Sequence, residues 1–171
     1  MSRLKSRLAV LATALVALAA PAASVEPDLR RIRTRTGEDA TAVLVALQGA
    51  QRKLRESGCQ RLLDDFRDAA GRLLRDNLAA FEMEPADYIT LLVIADGGER
   101  QGGSLCRTRG VAAVTVPKGR AVYVCGGAFR ALSLAHRENT LIHEMLHSLG
   151  LGENPPSPRE INAQVWRRCG G

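Results

Sequence analysis

Residues 139–153 read Asn139-Thr140-Leu141-Ile142-His143-Glu144-Met145-Leu146-His147-Ser148-Leu149-Gly150-Leu151-Gly152-Glu153, and the reading of this stretch decides the fold. At about 100° per residue, Leu141, Ile142, Met145, Leu146 and Leu149 gather on one side of a helix, while His143, Glu144 and His147 gather on another. The pattern predicts a helix over residues 137–149 that Gly150 stops, with its polar side facing away from the core. Two histidines at i and i+4 project together and are close enough to grip one ion. A glutamate beside the first stands where it can act on metal-bound water. The chain has only three histidines. The third, His136, sits seven residues before His143, about 10 Å away along a continuous helix and out of reach of the same ion.

Working outward, Ser157-Pro158-Arg159-Glu160 places Ser at an N-cap, Pro at N1 and Glu at N3, so a last helix starts there. Ile161, Val165 and the single Trp166 give it a packing side. Upstream, residues 111–116, a turn at Pro117-Lys118-Gly119-Arg120 and residues 121–125 predict a hairpin. Residues 88–95 form a continuous apolar run and read as a further strand. Between these strands lie Gly97, Gly98, Gly102, Gly103 and Gly110, which mark a loop on the rim of a small sheet. Before the sheet the period is helical: Val43, Leu44, Leu47 and Leu54 from Glu38 onward, then Leu62, Leu63, Phe66 and Ala70, then residues 73–81. Helices, a small antiparallel-rich sheet and helices again make an α+β domain over residues 38–171. No internal repeat is visible.

Of the 171 residues, 25% are charged and 46% hydrophobic, which excludes wholesale disorder and a polytopic membrane protein and fits one ordinary domain. The first seven residues carry Arg3, Lys5 and Arg7, and residues 8–20 are apolar apart from Thr13. That run is too short to span a bilayer but suits a secretory signal, with a cleavage site after Ala20-Pro21-Ala22. Residues 1–22 therefore read as a signal peptide, leaving no stable membrane span and implying a secreted or periplasmic protein. Removing three basic residues halves the net charge of +6, too small a surplus to argue for nucleic acid without a basic stripe interleaved with aromatics. Residues 23–37 lack an apolar period and read as a flexible N-terminal arm or a short pro-segment. Export makes two disulfides the expected state of Cys59, Cys106, Cys125 and Cys169, which contain no CxxC. Three connectivities are open. A simple hairpin register sets Cys125 opposite about Ala112, so a turn over residues 107–110 that folds Cys106 back favours Cys106 with Cys125, and hence Cys59 with Cys169.

The extended string from His143 to Glu153 resembles the HExxHxxGxxH signature of metzincins, a branch of the zincin metallopeptidases, with Glu where the third His stands. The resemblance spans about eleven residues. It implies zinc as cofactor, Glu144 as the base, a tight turn at Gly150 and Glu153 as third ligand, since a His₂Glu set is an accepted catalytic zinc site. No Met follows Glu153, so the Met-bearing turn of metzincins has no counterpart here. Gluzincins draw their third ligand from a following helix, which makes Glu160 the rival. The implied function is hydrolysis of a peptide or protein substrate by a zinc-activated water. Tyr123 is better placed than Tyr88 to stabilise the developing oxyanion. A strand edge at residues 121–125 is expected to bind extended substrate by β-addition. The alternatives are a secreted zinc-binding module without turnover, and a non-peptidase zinc hydrolase acting on cell-wall material.

Overall fold

Thr36 opens the first long helix: its Oγ1 accepts the Asp39 N–H at 3.1 Å, with Glu38 and Asp39 in the first turn and Arg52 and Lys53 in the last. Both biases complement the helix dipole. The computed structural model describes residues 26–98 and 105–170. This helix, α1 (Gly37–Leu54), buries Val43, Ala46, Leu47, Ala50 and Leu54. Four short helices follow: α2 (Ser57–Gln60), α3 (Leu62–Asp65), α4 (Leu74–Ala79) and α5 (Pro85–Tyr88).

The sheet contains β1 (Ile32–Arg33), β2 (Val93–Asp96), β3 (Ala113–Thr115) and β4 (Ala121–Val124), in spatial order β1-β2-β4-β3. After β4 come α6 (Gly126–Ala131), α7 (Leu134–Ser148) and α8 (Pro158–Cys169). Helix α7 packs against α1, β3 and α8. Its Leu141, Ile142, Met145 and Leu146 share one apolar core with Ile94, Val122 and Val124 of the sheet and with Ile161 and Val165 of α8. The fold is α+β, as the sequence reads.

Several local readings hold. In the hairpin Ala113 pairs with Val124, and the Cys125 N–H donates to the Ala112 carbonyl at 2.9 Å, the register expected. The disulfides are Cys106–Cys125 and Cys59–Cys169. Two such bonds fit an oxidising, extracellular environment. Ser157 and Glu160 form a full capping box at the start of α8, and Gly150 ends α7 with φ +108°. Among the described residues no helix is long and apolar enough to cross a membrane. Residues 1–22 lie outside the described part.

Other readings are corrected. The sheet is not antiparallel-rich: β1 with β2 and β2 with β4 are parallel, and only β3 with β4 is antiparallel. The arm read over residues 23–37 carries a short 3₁₀ turn and then β1, whose Ile32 pairs with Ile94. Residues 88–95 are not one strand, because Tyr88 closes α5 and Ile89–Leu91 form a 3₁₀ turn before β2. The apolar run there feeds the core whatever its backbone conformation, so hydrophobicity alone does not discriminate. The helix expected through Leu62 and Ala70 breaks at Phe66, which is extended. Helix α7 starts three residues before the expected point, capped by Ser133.

Candidate metal centre

Helix α7 carries His143 and His147 one turn apart, and their Nε2 atoms lie 2.9 Å from each other. Beyond the helix, Gly150 turns the chain so that Glu153 comes back toward them. Its Oε1 lies 3.3 Å from His147 Nε2 and 3.7 Å from His143 Nε2. All three ligand atoms fall within 4.8 Å of one another, a group that can hold a metal ion. The outer nitrogens are occupied. His143 Nδ1–H donates to Asn162 Oδ1 at 2.8 Å, and His147 Nδ1–H donates to the Leu151 carbonyl at 2.8 Å. Both rings therefore present Nε2 lone pairs inward, with no N–H left to bridge them. Two imidazole acceptors and a carboxylate oxygen facing one point are a donor set that a cation fits. Burial, and then the neighbouring His147, hold the His143 pKa below the usual imidazole value, which favours the neutral, ligating form.

Glu144 shares the cleft but contributes no atom to this group. Its side chain is buried, and Oε2 has no hydrogen-bond partner among the described residues. Burial pushes its pKa up to about 8; the nearby Glu153 charge adds to the rise, and Thr115 of β3 opposes it. A buried carboxylate with one oxygen left unbonded is costly, and such groups concentrate where protons are moved. The cavity has a volume of about 710 Å³ and is walled by β3 on one side and by α8 on the other, with α7 as its floor.

The sequence candidates separate cleanly. Glu153 joins the histidines, whereas Glu160 accepts the Ser157 N–H at 2.8 Å and its hydroxyl at 2.7 Å and stays outside the cleft. Tyr123 sits on β4 opposite Val114 and does not line the cleft, so its expected oxyanion role has no geometric basis. Tyr88 is fully buried, with its hydroxyl 3.3 Å from Ser148 Oγ. The strand edge expected at residues 121–125 is not an edge, since β4 lies between β2 and β3. The free edge belongs to β3, which forms the cleft wall. The polar side of α7 is not solvent-facing either: His143, Glu144 and His147 are all buried in the cleft. His136 lines the cleft outside the metal group, its ring edge-on to Trp166 at a centroid distance of 4.8 Å. Trp166, read as packing, is 37% exposed on the same wall.

Asn162 and the Leu151 carbonyl, which fix the two rings, carry no mark in the sequence. Asn162 lines the cleft on a helix whose sequence pattern marks only Ile161, Val165 and Trp166. Leu151 acts through its backbone, which any residue supplies. No family model, curated protein or solved structure matches this chain.

Proposed function

We propose that this protein is an exported, zinc-dependent metallopeptidase that resembles the zincins and hydrolyses peptide bonds. The observation that carries the reading is the convergence in one cleft of His143, His147 and Glu153 beside a buried Glu144, one of whose carboxylate oxygens, Oε2, has no hydrogen-bond partner among the described residues. When bound, zinc supplies a Lewis acid and lowers the pKa of a coordinated water toward about 7. His143 and His147 are aimed inward through Asn162 and the Leu151 carbonyl. Glu144 would take the proton of the attacking water and hand it to the leaving amine, a role open to a carboxylate that lines the cleft without contributing an atom to the metal group. The free edge of β3 offers backbone N–H and C=O groups to an extended chain, which lies along the cleft wall as an added strand. Neither Tyr88 nor Tyr123 lines the cleft, so neither would contact the developing oxyanion.

A metal-binding module without turnover would close its ion with a fourth protein ligand. Among the described residues three such groups converge, and all three line the open cleft. The test is elemental analysis of the exported protein together with chelator-sensitive cleavage of a mixed, denatured protein substrate. The wild type should carry zinc and cleave. Glu144→Gln should keep the zinc and lose about 10²- to 10⁴-fold in rate. Zinc-loaded protein that leaves every substrate intact would sink the catalytic reading in favour of the non-catalytic module.

A further inference from the structure

Two of the three ligand groups depend on one turn. Residues 149–153 deliver Glu153, and the same turn supplies the Leu151 carbonyl that orients the His147 ring. What lies beneath this turn comes from far upstream in the chain. Asn77 of α4 uses both amide hydrogens there: Nδ2 donates to the Leu149 carbonyl at 2.9 Å and to Asp68 Oδ2 at 3.1 Å. The Asp68 carboxylate has no exposed side-chain surface. It is itself fixed by the Ala70 N–H at 2.9 Å, the Arg72 N–H at 3.0 Å and the Arg72 guanidinium at 2.9 Å. From the third direction the Lys118 N–H donates to the His147 carbonyl at 2.9 Å, and Lys118 Nζ lies 3.8 Å from Asp68. Gly150 is pressed against this cluster. A Cβ there would meet Asp68 Cβ and Lys118 Cε, each at 3.2 Å, on a backbone of φ +108° that side chains avoid.

We infer that Asp68 and Asn77 are positioning residues for the metal site, acting through the Leu149 carbonyl and the Gly150 turn on His147 and Glu153. The inference rests on the metal-site reading above and adds its underside. The Asn77 amide is the joint. It is held at one end by a carboxylate that cannot turn, because four other donors grip it, and it pins at the other end the carbonyl that precedes the turn. Without it the α7 C-terminus can still form, since the Gly150 N–H reaches the His147 carbonyl at 2.8 Å and the Leu151 N–H reaches the Leu146 carbonyl at 3.1 Å. What is lost is the fixed depth of the turn, and with it the aim of two ligands. Partners of this outer kind typically contribute about 10- to 100-fold in metal affinity.

The experiment uses the full exported chain in three variants. Asn77→Ala removes the joint, Asn77→Asp keeps its size but replaces the donor by an acceptor, and Thr36→Ala removes the α1 cap remote from the site. Zinc affinity is measured by competition with a chromophoric chelator, thermal stability on metal-free protein, and imidazole tautomers by ¹⁵N NMR of metal-free protein. Both Asn77 variants should bind zinc about 10- to 100-fold more weakly. Thr36→Ala should lose stability and keep its affinity. In the metal-free Asn77 variants the His147 ring should lose its single Nδ1–H tautomer while His143 keeps it. Unchanged zinc affinity with an unchanged His147 tautomer in a folded Asn77 variant overturns the inference. Should the wild type bind no zinc, the metal reading fails by itself, and the tautomer measurement still decides the positioning role. If Asn77→Ala does not fold, the isosteric Asn77→Asp carries the same readouts.

Discussion

His143 and His147 stand one turn apart on the same helix, yet different regions of the chain hold them. The His143 ring is fixed by Asn162, a side chain of α8, and α8 is tied down by the Cys59–Cys169 disulfide, by buried Ile161 and Val165, and by Arg168, whose guanidinium grips Asp65 at 2.7 Å. The His147 ring is fixed by a carbonyl of the turn that follows its own helix, and that turn rests on Asn77 and Asp68. One ligand thus reports on how a helix docks; the other reports on how a turn is bedded. Damage to either region should mark its own histidine first.

The largest effect should come from the ligands themselves. His143→Ala or His147→Ala should abolish zinc binding at micromolar metal, read by elemental analysis after dialysis, since each leaves two donors where three converge. Full zinc in both variants would move the site elsewhere. Next, Asn162→Ala should weaken zinc by about 10- to 100-fold. It should free the His143 tautomer and leave His147 fixed, the mirror image of the Asn77 variants; a loss at both rings would show that the two regions act as one.

The staple of α8 comes third. Replacing Cys59 and Cys169 together by Ser should cost about 2–5 kcal/mol of stability, seen as a lower thermal midpoint. Any accompanying change in zinc affinity should follow the Asn162 pattern. Glu160→Ala should be milder, lowering the thermal midpoint only slightly through the lost capping box and leaving zinc content at the wild-type level. An empty site in that variant, with Glu153→Ala still loaded, would return the ligand role to Glu160.

The smallest effect concerns pH. The Arg168 hydrogen bond holds the Asp65 carboxyl below its ordinary value. A depressed carboxylate stabilises the fold above its unfolded value, and that stabilisation is lost as pH falls through the folded value. The pair lies at the surface, with 30% of the Arg168 and 20% of the Asp65 side chain exposed, so solvent screening keeps its contribution small. Asp65→Asn should therefore narrow the stability gap between neutral and acidic solution slightly, by thermal melts from neutral pH downward. An unchanged gap would leave the α8 anchor to its disulfide and buried side chains.

The His143–His147–Glu153 group that could hold a metal, and Glu144 beside it, are legible in the chain because they lie within eleven residues and answer to one helix and one turn. The same holds for the capping box at Ser157, the stop at Gly150 and the hairpin register that puts Cys125 beside Ala112: each depends on neighbours a few positions away, where backbone geometry leaves few choices. Tyr123 was misjudged for the complementary reason. Its position before the active helix in sequence says nothing about which side of β4 it occupies or which strand ends the sheet.

The helix of His143 and His147, the stop at Gly150, the α+β class and the expectation of two disulfides come from the sequence alone, which favours Glu153 over Glu160 and Cys106 with Cys125 but leaves both choices open. That Ile32 and Arg33 join a mostly parallel sheet, that β3 and not β4 lines the cleft, that Glu153 is the glutamate beside the histidines, and that Asn162 bonds the His143 ring while Asn77 bonds Asp68 and the Leu149 carbonyl, follow from tertiary structure. Parallel pairing, sheet order and the reach of a side chain across two helices depend on contacts between residues 19 to 72 positions apart, as with Asn162 to His143 and Asn77 to Leu149. No local period encodes such contacts. They are set when burying the apolar faces of α1, α7 and the sheet in one core brings those distant polar groups within hydrogen-bond distance.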